Sequence, residues 1–274
     1  DTYIWNKTAS VHDGSDKIAD GDTSLSQTDI LDLSGSVAST GVTLTRLTGS
    51  KDLLVDINGR SVQLTVVDQF LDVAKGNGVE VIKFSDGVIW TLDDILDHTT
   101  VGDASATGSQ TLGGTSFRDH LIGGAGADSL VGHGGNDTLK GGTGADTLIG
   151  DDTTSGESGE DTYVWALLDG NDTVKDLSHA TADVDSLELT NVASSAVTLS
   201  RDSGSEDLKI TVTSVSAPNG KEQITIYHQF SSSSTGDYIA DGIERIVFSD
   251  TIWYLDDILK NTEVTGANNG AGND

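Results

Sequence analysis

The sequence predicts an all-β chain in which a short parallel β-roll is flanked by two homologous β-rich modules. Three observations predict this. A nine-residue repeat runs unbroken over residues 123–149, a module of about a hundred residues occurs on both sides of it, and apolar and polar residues alternate with period two inside each copy.

In ninefold register the centre reads GGAGADSLV from Gly123, GHGGNDTLK from Gly132 and GGTGADTLI from Gly141. Position six is always Asp (Asp128, Asp137, Asp146) and position eight always Leu (Leu130, Leu139, Leu148). The register extends upstream through Asp119, Leu121 and Leu112, and resumes after an insertion at 150–155 as GESGEDTYV from Gly156. The glycine-rich six residues need positive φ angles, which glycine adopts without steric cost. The remaining three make a short strand with its leucine inward, so two repeats complete one coil with turns on opposite edges. Turns n and n+2 then share an edge.

The modules share landmarks in one order. Asp1-Thr2-Tyr3-Ile4-Trp5 recurs as Asp161-Thr162-Tyr163-Val164-Trp165, Gln69-Phe70 as Gln229-Phe230, and Phe84-Ser85-Asp86 with Trp90 as Phe248-Ser249-Asp250 with Trp253. Alternation at Val42, Leu44 and Arg46, at Val62, Leu64 and Val66, and at Ile224 and Ile226 reads as half-buried strands, and each module reads as a small antiparallel β domain, a sandwich or a sheet extension. Thr91–Leu96 and its counterpart near Leu255 read as short helical turns with acidic starts. The expected boundaries are 1–104, 105–160, 161–263 and 264–274, the last being the start of a further repeat. The chain opens without Met or a signal segment and stops inside Gly270-Ala271-Gly272-Asn273-Asp274, so it reads as a piece of a parent longer on both sides.

Forty-four acidic side chains against 15 basic give a net charge of -29 over 274 residues, with 33 glycines, 1 proline and no cysteine. Such charge repels nucleic acid and anionic membrane and leaves divalent cations as the natural counterion. Disulfides are absent as a stabilising device, and no apolar run approaches the roughly 20 residues of a membrane helix. Between turns that share an edge, backbone carbonyls converge with two Asp carboxylates, an all-oxygen set suited to a hard cation such as Ca²⁺. Zinc is disfavoured, because cysteine is missing and the histidines have no ligand spacing.

The GGxGxDxUx pattern of residues 114–164 resembles the RTX, or haemolysin-type, calcium-binding repeat family, and the flanking DTYxW and FSD…W landmarks resemble the haemolysin-type calcium-binding-related modules strung between such repeats. The resemblance implies that carbonyls at positions two and four plus the Asp of one turn, and carbonyls at one and three plus the Asp two repeats on, hold each ion. Carried over, a first site joins Gly124, Gly126 and Asp128 to Gly141, Thr143 and Asp146. A second joins His133, Gly135 and Asp137 to Gly150 and Asp152. A third joins Gly142, Gly144 and Asp146 to Gly156, Ser158 and Asp161. A fourth joins Thr115, Phe117 and Asp119 to Gly132, Gly134 and Asp137, with Phe117 where glycine is expected and positive φ costly.

A Gly/Asp-rich stretch is often a linker, but an Asp and a Leu every nine residues is not linker composition. His133 contributes only its carbonyl in the family pattern, and His12, His98, His120 and His179 have no partner spacing. Asp93-Asp94 and Asp256-Asp257 read as helix-capping carboxylates rather than an acid–base pair. Trp5, Trp90, Trp165 and Trp253 read as core aromatics rather than sugar platforms. Asp68 and His228 differ at matching positions, and neither GxSxG nor HExxH occurs, so no catalytic residue is assigned.

The resemblance further implies a secreted bacterial protein exported by type I secretion, whose roll folds and rigidifies on Ca²⁺, with residues 105–160 disordered in chelator. Two roles follow for the parent: a structural or adhesive surface protein with a cell-surface or glycan partner, or the secretion and folding portion of an RTX toxin or extracellular hydrolase.

Overall fold

The leucine at position eight builds the core. The computed structural model describes residues 1–5, 16–19, 27–57, 63–71, 77–152, 158–177, 183–217, 220–230 and 242–266. His12, Val62, Gly156, His179 and residues 267–274 lie outside them. The chain divides into two compact units, Asp1–Gly102 and Asp103–Asp274.

The first unit contains β1 (Thr2–Ile4), β2 (Asp16–Ala19), β3 (Ile30–Asp32), β4 (Val42–Arg46), β5 (Leu53–Ile57), β6 (Gln63–Val67), β7 (Val81–Lys83), β8 (Ile89–Trp90), helix α1 (Leu92–His98) and β9 (Thr99–Gly102). One sheet runs β1-β3-β7-β8 and another run of strands β2-β6-β5-β4-β9. β1, β3 and β7 are parallel, as are β2 with β6 and β4 with β9, whereas β4, β5 and β6 form an antiparallel meander.

The second unit contains β10 (Thr111–Gly113), β11 (His120–Ala125), β12 (Ser129–Val131), β13 (Thr138–Thr143), β14 (Thr147–Ile149), β15 (Thr162–Ala166), β16 (Asp172–Lys175), β17 (Ser186–Thr190), β18 (Val197–Asp202), β19 (Leu208–Thr213), β20 (Lys221–Ile226), β21 (Arg245–Val247), β22 (Ile252–Tyr254), helix α2 (Leu255–Asn261) and β23 (Thr262–Thr265). Two parallel ladders stack face to face. In one, Leu112, Leu130, Leu148, Val174 and Ile226 stand in register on β10, β12, β14, β16 and β20. In the other, Leu121, Leu139, Tyr163, Leu187 and Ile246 stand in register on β11, β13, β15, β17 and β21. All ten are buried, and their apolar area is the main favourable term for this unit.

These ladders differ from the expected antiparallel module. Parallel pairing passes through residue 161 and reaches β20 and β21, and among the described residues of this unit antiparallel pairing enters with β18–β20 and β21–β22. The reason lies in the triplets Asp161-Thr162-Tyr163, Asp172-Thr173-Val174 and Asp185-Ser186-Leu187. Each keeps the acid, polar, apolar order of the repeat although the glycines before it are diluted. The first unit repeats the topology: β15-β17-β21-β22 corresponds to β1-β3-β7-β8, and β16-β20-β19-β18-β23 to β2-β6-β5-β4-β9.

The shared landmarks have structural roles. The buried amides of Gln69 and Gln229 each donate to and accept from one backbone segment, at Val79 (3.0 and 2.8 Å) and Ile243 (2.8 and 3.1 Å). Asp68 and His228 both adopt positive φ, 56° and 54°, so they mark the equivalent turn in the two modules. Asp94 accepts from the Thr91 N–H at 2.8 Å, and Asp257 from the Tyr254 N–H at 3.3 Å, as capping carboxylates do. Trp165 and Trp90 are buried, Trp5 and Trp253 half-buried, and Trp90 and Trp253 pack edge-on against Phe84 and Phe248.

Candidate metal centre

The position-six aspartates form two hydrogen-bonded ladders, one along each edge of the roll. On one edge the Asp128 N–H donates to Asp146 Oδ1 at 2.8 Å and the Asp146 N–H to Asp172 Oδ1 at 2.8 Å. On the other, Asp119 donates to Asp137 Oδ1 at 2.7 Å, Asp137 to Asp161 at 2.8 Å and Asp161 to Asp185 at 2.7 Å, and Asp185 ends on Glu244 Oε2 at 2.8 Å. Each carboxylate thus spends one oxygen closing the next coil.

In four of them the other oxygen has no hydrogen-bond partner. Oδ2 of Asp128, Asp137, Asp146 and Asp161 is buried without a hydrogen bond. Acceptors buried this way carry a desolvation cost that a donor or a cation must offset. Glycine leaves room beside them: a Cβ added to Gly123 would lie 2.4 Å from both Asp128 Oδ2 and the Gly141 carbonyl oxygen, and one added to Gly141 would lie 2.2 Å from Asp146 Oδ2. The residue set is all oxygen, anionic and kept open by glycine, which fits Ca²⁺.

Electrostatics point the same way. Burial pushes Asp137 up to about 10, with Asp161 and Asp119 adding to the shift. Burial likewise raises Asp161 to about 8, Asp172 to about 7 and Asp146 to about 6. Without a cation the fold holds these groups where the charged form is disfavoured.

The structure assembles the expected ligand sets unequally. In the first set, Gly124 stands in register with Gly142, Gly126 N–H donates to Thr143 O at 2.8 Å, and Asp128 meets Asp146. In the second, His133 N–H donates to Gly150 O at 3.0 Å, but Asp137 pairs with Asp161 and not with Asp152, whose carboxylate lies 3.4 Å from the His133 ring. The third set is separated: Asp146 pairs with Asp172, Gly144 N–H donates to Asp169 O at 2.6 Å, and Ser158 O accepts from Gly135 N–H at 3.4 Å. Ser158 and Asp161 therefore stand beside Gly135 and Asp137 instead. Thr138 stays in register with Thr162 across the insertion, so Asp161 falls on the same edge as Asp137.

In the fourth set Gly134 N–H donates to Thr115 O at 3.3 Å and Asp119 meets Asp137. Here the Thr115 N–H and hydroxyl both donate to Asp119 Oδ2, at 2.5 and 2.7 Å, so this turn satisfies internally the oxygen left unpaired in the others. Phe117 does not adopt positive φ, so the expected strain is absent there. It falls instead on His133, at 78°. Sequence reading missed Asp172, Asp185 and Glu244, which the Asp-x-apolar triplet signals for the first two.

Residues 113–148 match four copies of the RTX calcium-binding nonapeptide repeat, and residues 52–94 match the haemolysin-type calcium binding protein related domain. Among solved structures, the AlgE6R3 subunit of the Azotobacter vinelandii mannuronan C5-epimerase is 24% identical, covering 53% of this chain and 81% of its own, with a TM-score of 0.35. The extracellular lipase LipA of Serratia marcescens is 15% identical, covering 85% of this chain and 34% of its own, with a TM-score of 0.34. No curated protein matches. With the two family matches and the carboxylate ladders together, residues 113–148 are RTX calcium-binding nonapeptide repeats that take Ca²⁺, and residues 52–94 carry the haemolysin-type calcium binding protein related domain.

Proposed function

We propose that the chain is a calcium-stiffened structural segment of a secreted bacterial protein, exported unfolded by type I secretion and folded outside the cell as part of a larger adhesive scaffold. The observation that carries this reading is the run of four buried Asp oxygens without partners along the two edges of one continuous roll. Mutual repulsion and desolvation oppose the fold until cations bind, and binding to the folded state alone stabilises it by mass action. Extracellular calcium modules work at affinities of order 10⁻⁴ to 10⁻³ M, which separates low cytosolic from high external calcium. Among the described residues no helix is long and apolar enough to cross a membrane.

Small-angle scattering tests the stiffening: the radius of gyration falls from a chain-like value in chelator to a compact one in millimolar Ca²⁺. An equal radius in both conditions contradicts it. For the adhesive role, the chain is passed over immobilised glycans and cell surfaces in calcium and in chelator, with calcium-dependent retention expected. Retention on none of them favours a portion that only aids secretion and folding.

A further inference from the structure

One group of carboxylates departs from the repeat pattern. Oxygens of Asp161, Asp176 and Asp185, all buried, lie within 4.8 Å of one another. Asp151, fully buried, and Asp183 act electrostatically on the same group, and Asp151 Oδ1, Asp161 Oδ2 and Asp183 Oδ2 are buried without a hydrogen-bond partner.

Register explains why this spot differs. Val131, Ile149 and Lys175 stand side by side on β12, β14 and β16, so the residues that follow them, Gly132, Gly150 and Asp176, occupy equivalent places. At Gly150 the Cβ direction points at Asp161 Oδ2 and the Tyr163 hydroxyl, at 2.0 and 2.2 Å. Asp176 has a side chain in that direction, and its Oδ2 accepts from the Tyr163 hydroxyl at 3.1 Å. Asp151 likewise follows Gly150 where His133 follows Gly132. The neighbouring Lys175 places its ammonium over the Tyr227 ring, 5.3 Å from the centroid.

We propose that Asp151, Asp161, Asp176, Asp183 and Asp185 form a second kind of calcium site, walled by side-chain carboxylates rather than by glycine carbonyls, which fastens the last glycine-rich turn of the roll to the turn after it. The inference rests on the calcium reading of the chain: the site shares Asp161 and Asp185 with the carboxylate ladder and adds Asp151, Asp176 and Asp183, which stand outside the repeat pattern. Affinity in oxygen-ligand calcium sites rises with the number of charged ligands, so this site fills before the repeat sites.

Calorimetric titration of the chelator-stripped full chain with Ca²⁺ tests it. The wild type shows one tight class beside a weaker one. Asp176→Gly, which restores the residue the repeat uses, and Asp183→Asn, at the half-buried rim, each weaken the tight class by about tenfold or more. Asp128→Asn, on the other edge, leaves that class unchanged and reduces the weak one. Circular dichroism at saturating Ca²⁺ checks folding; if Asp176→Gly does not fold, Asp183→Asn decides. A tight class that survives in the folded variants, or a single uniform class insensitive to them, overturns the carboxylate site while leaving the repeat sites standing. No binding anywhere overturns the calcium reading itself.

Discussion

The Asp128 N–H donates to Asp146 Oδ1 at 2.8 Å, while the second oxygen of each carboxylate is buried with no donor, that of Asp128 beside the Gly141 carbonyl. One side chain thereby does two jobs: one oxygen fixes the spacing between coils and the other waits for a cation. The two jobs separate by mutation.

Asp146→Asn keeps an oxygen for the Asp128 N–H and removes the charge, whereas Asp146→Ala removes both. In saturating Ca²⁺, Asp146→Asn is expected to lose calcium occupancy with a modest loss of stability. Asp146→Ala loses about 1–3 kcal/mol more, the cost of an unsatisfied buried N–H. Thermal unfolding with calcium counting checks both.

Gly141→Ala tests the cradle. Its added Cβ would lie 2.2 Å from Asp146 Oδ2, so the methyl takes the space of the cation. Calcium stoichiometry drops, and the midpoint for calcium-induced folding moves to higher concentration in a titration followed by circular dichroism.

Leu139 is fully buried between Leu121 and Tyr163 on its ladder. Leu139→Ala leaves a cavity and is expected to cost about 2–5 kcal/mol in saturating calcium, without changing the number of ions bound. A stability loss equal to that of an exposed substitution contradicts the core assignment.

Acid has opposite effects on the two forms. Burial raises the folded-state values of Asp137, Asp161 and Asp146 to about 10, 8 and 6, above the unfolded value of 3.8, so the cation-free fold binds more protons than the unfolded chain. Its stability is therefore greatest below about pH 4 as far as these groups decide it, and declines as pH rises through their folded values. Calcium competes with those protons, so affinity weakens as pH falls from 8 to 5. Chelator-treated protein is expected to gain order on mild acidification, which circular dichroism against pH records.

The sequence carried the roll plainly wherever glycine, Asp and Leu recurred together, because turn and strand chemistry coincide in nine residues. It was silent at two places. After Ile149 the insertion in the sequence shifts the count, so Asp161 reads as the partner of Asp146 when the strand register gives it to Asp137. Past Asp161 the glycines thin out, and only the Asp-x-apolar triplets at Asp172 and Asp185 betray that the parallel coils continue. Phe117 was read as strained because it stands in a glycine place, but that turn closes on itself through Thr115. Asp176 escaped notice because a single carboxylate has no periodicity.

Far-UV circular dichroism of the full chain, recorded in chelator and again after adding millimolar Ca²⁺, tests the central claim most directly. A disordered contribution from the roll in chelator that converts to β-structure with calcium is the expected result. A folded spectrum that is the same in both conditions contradicts it.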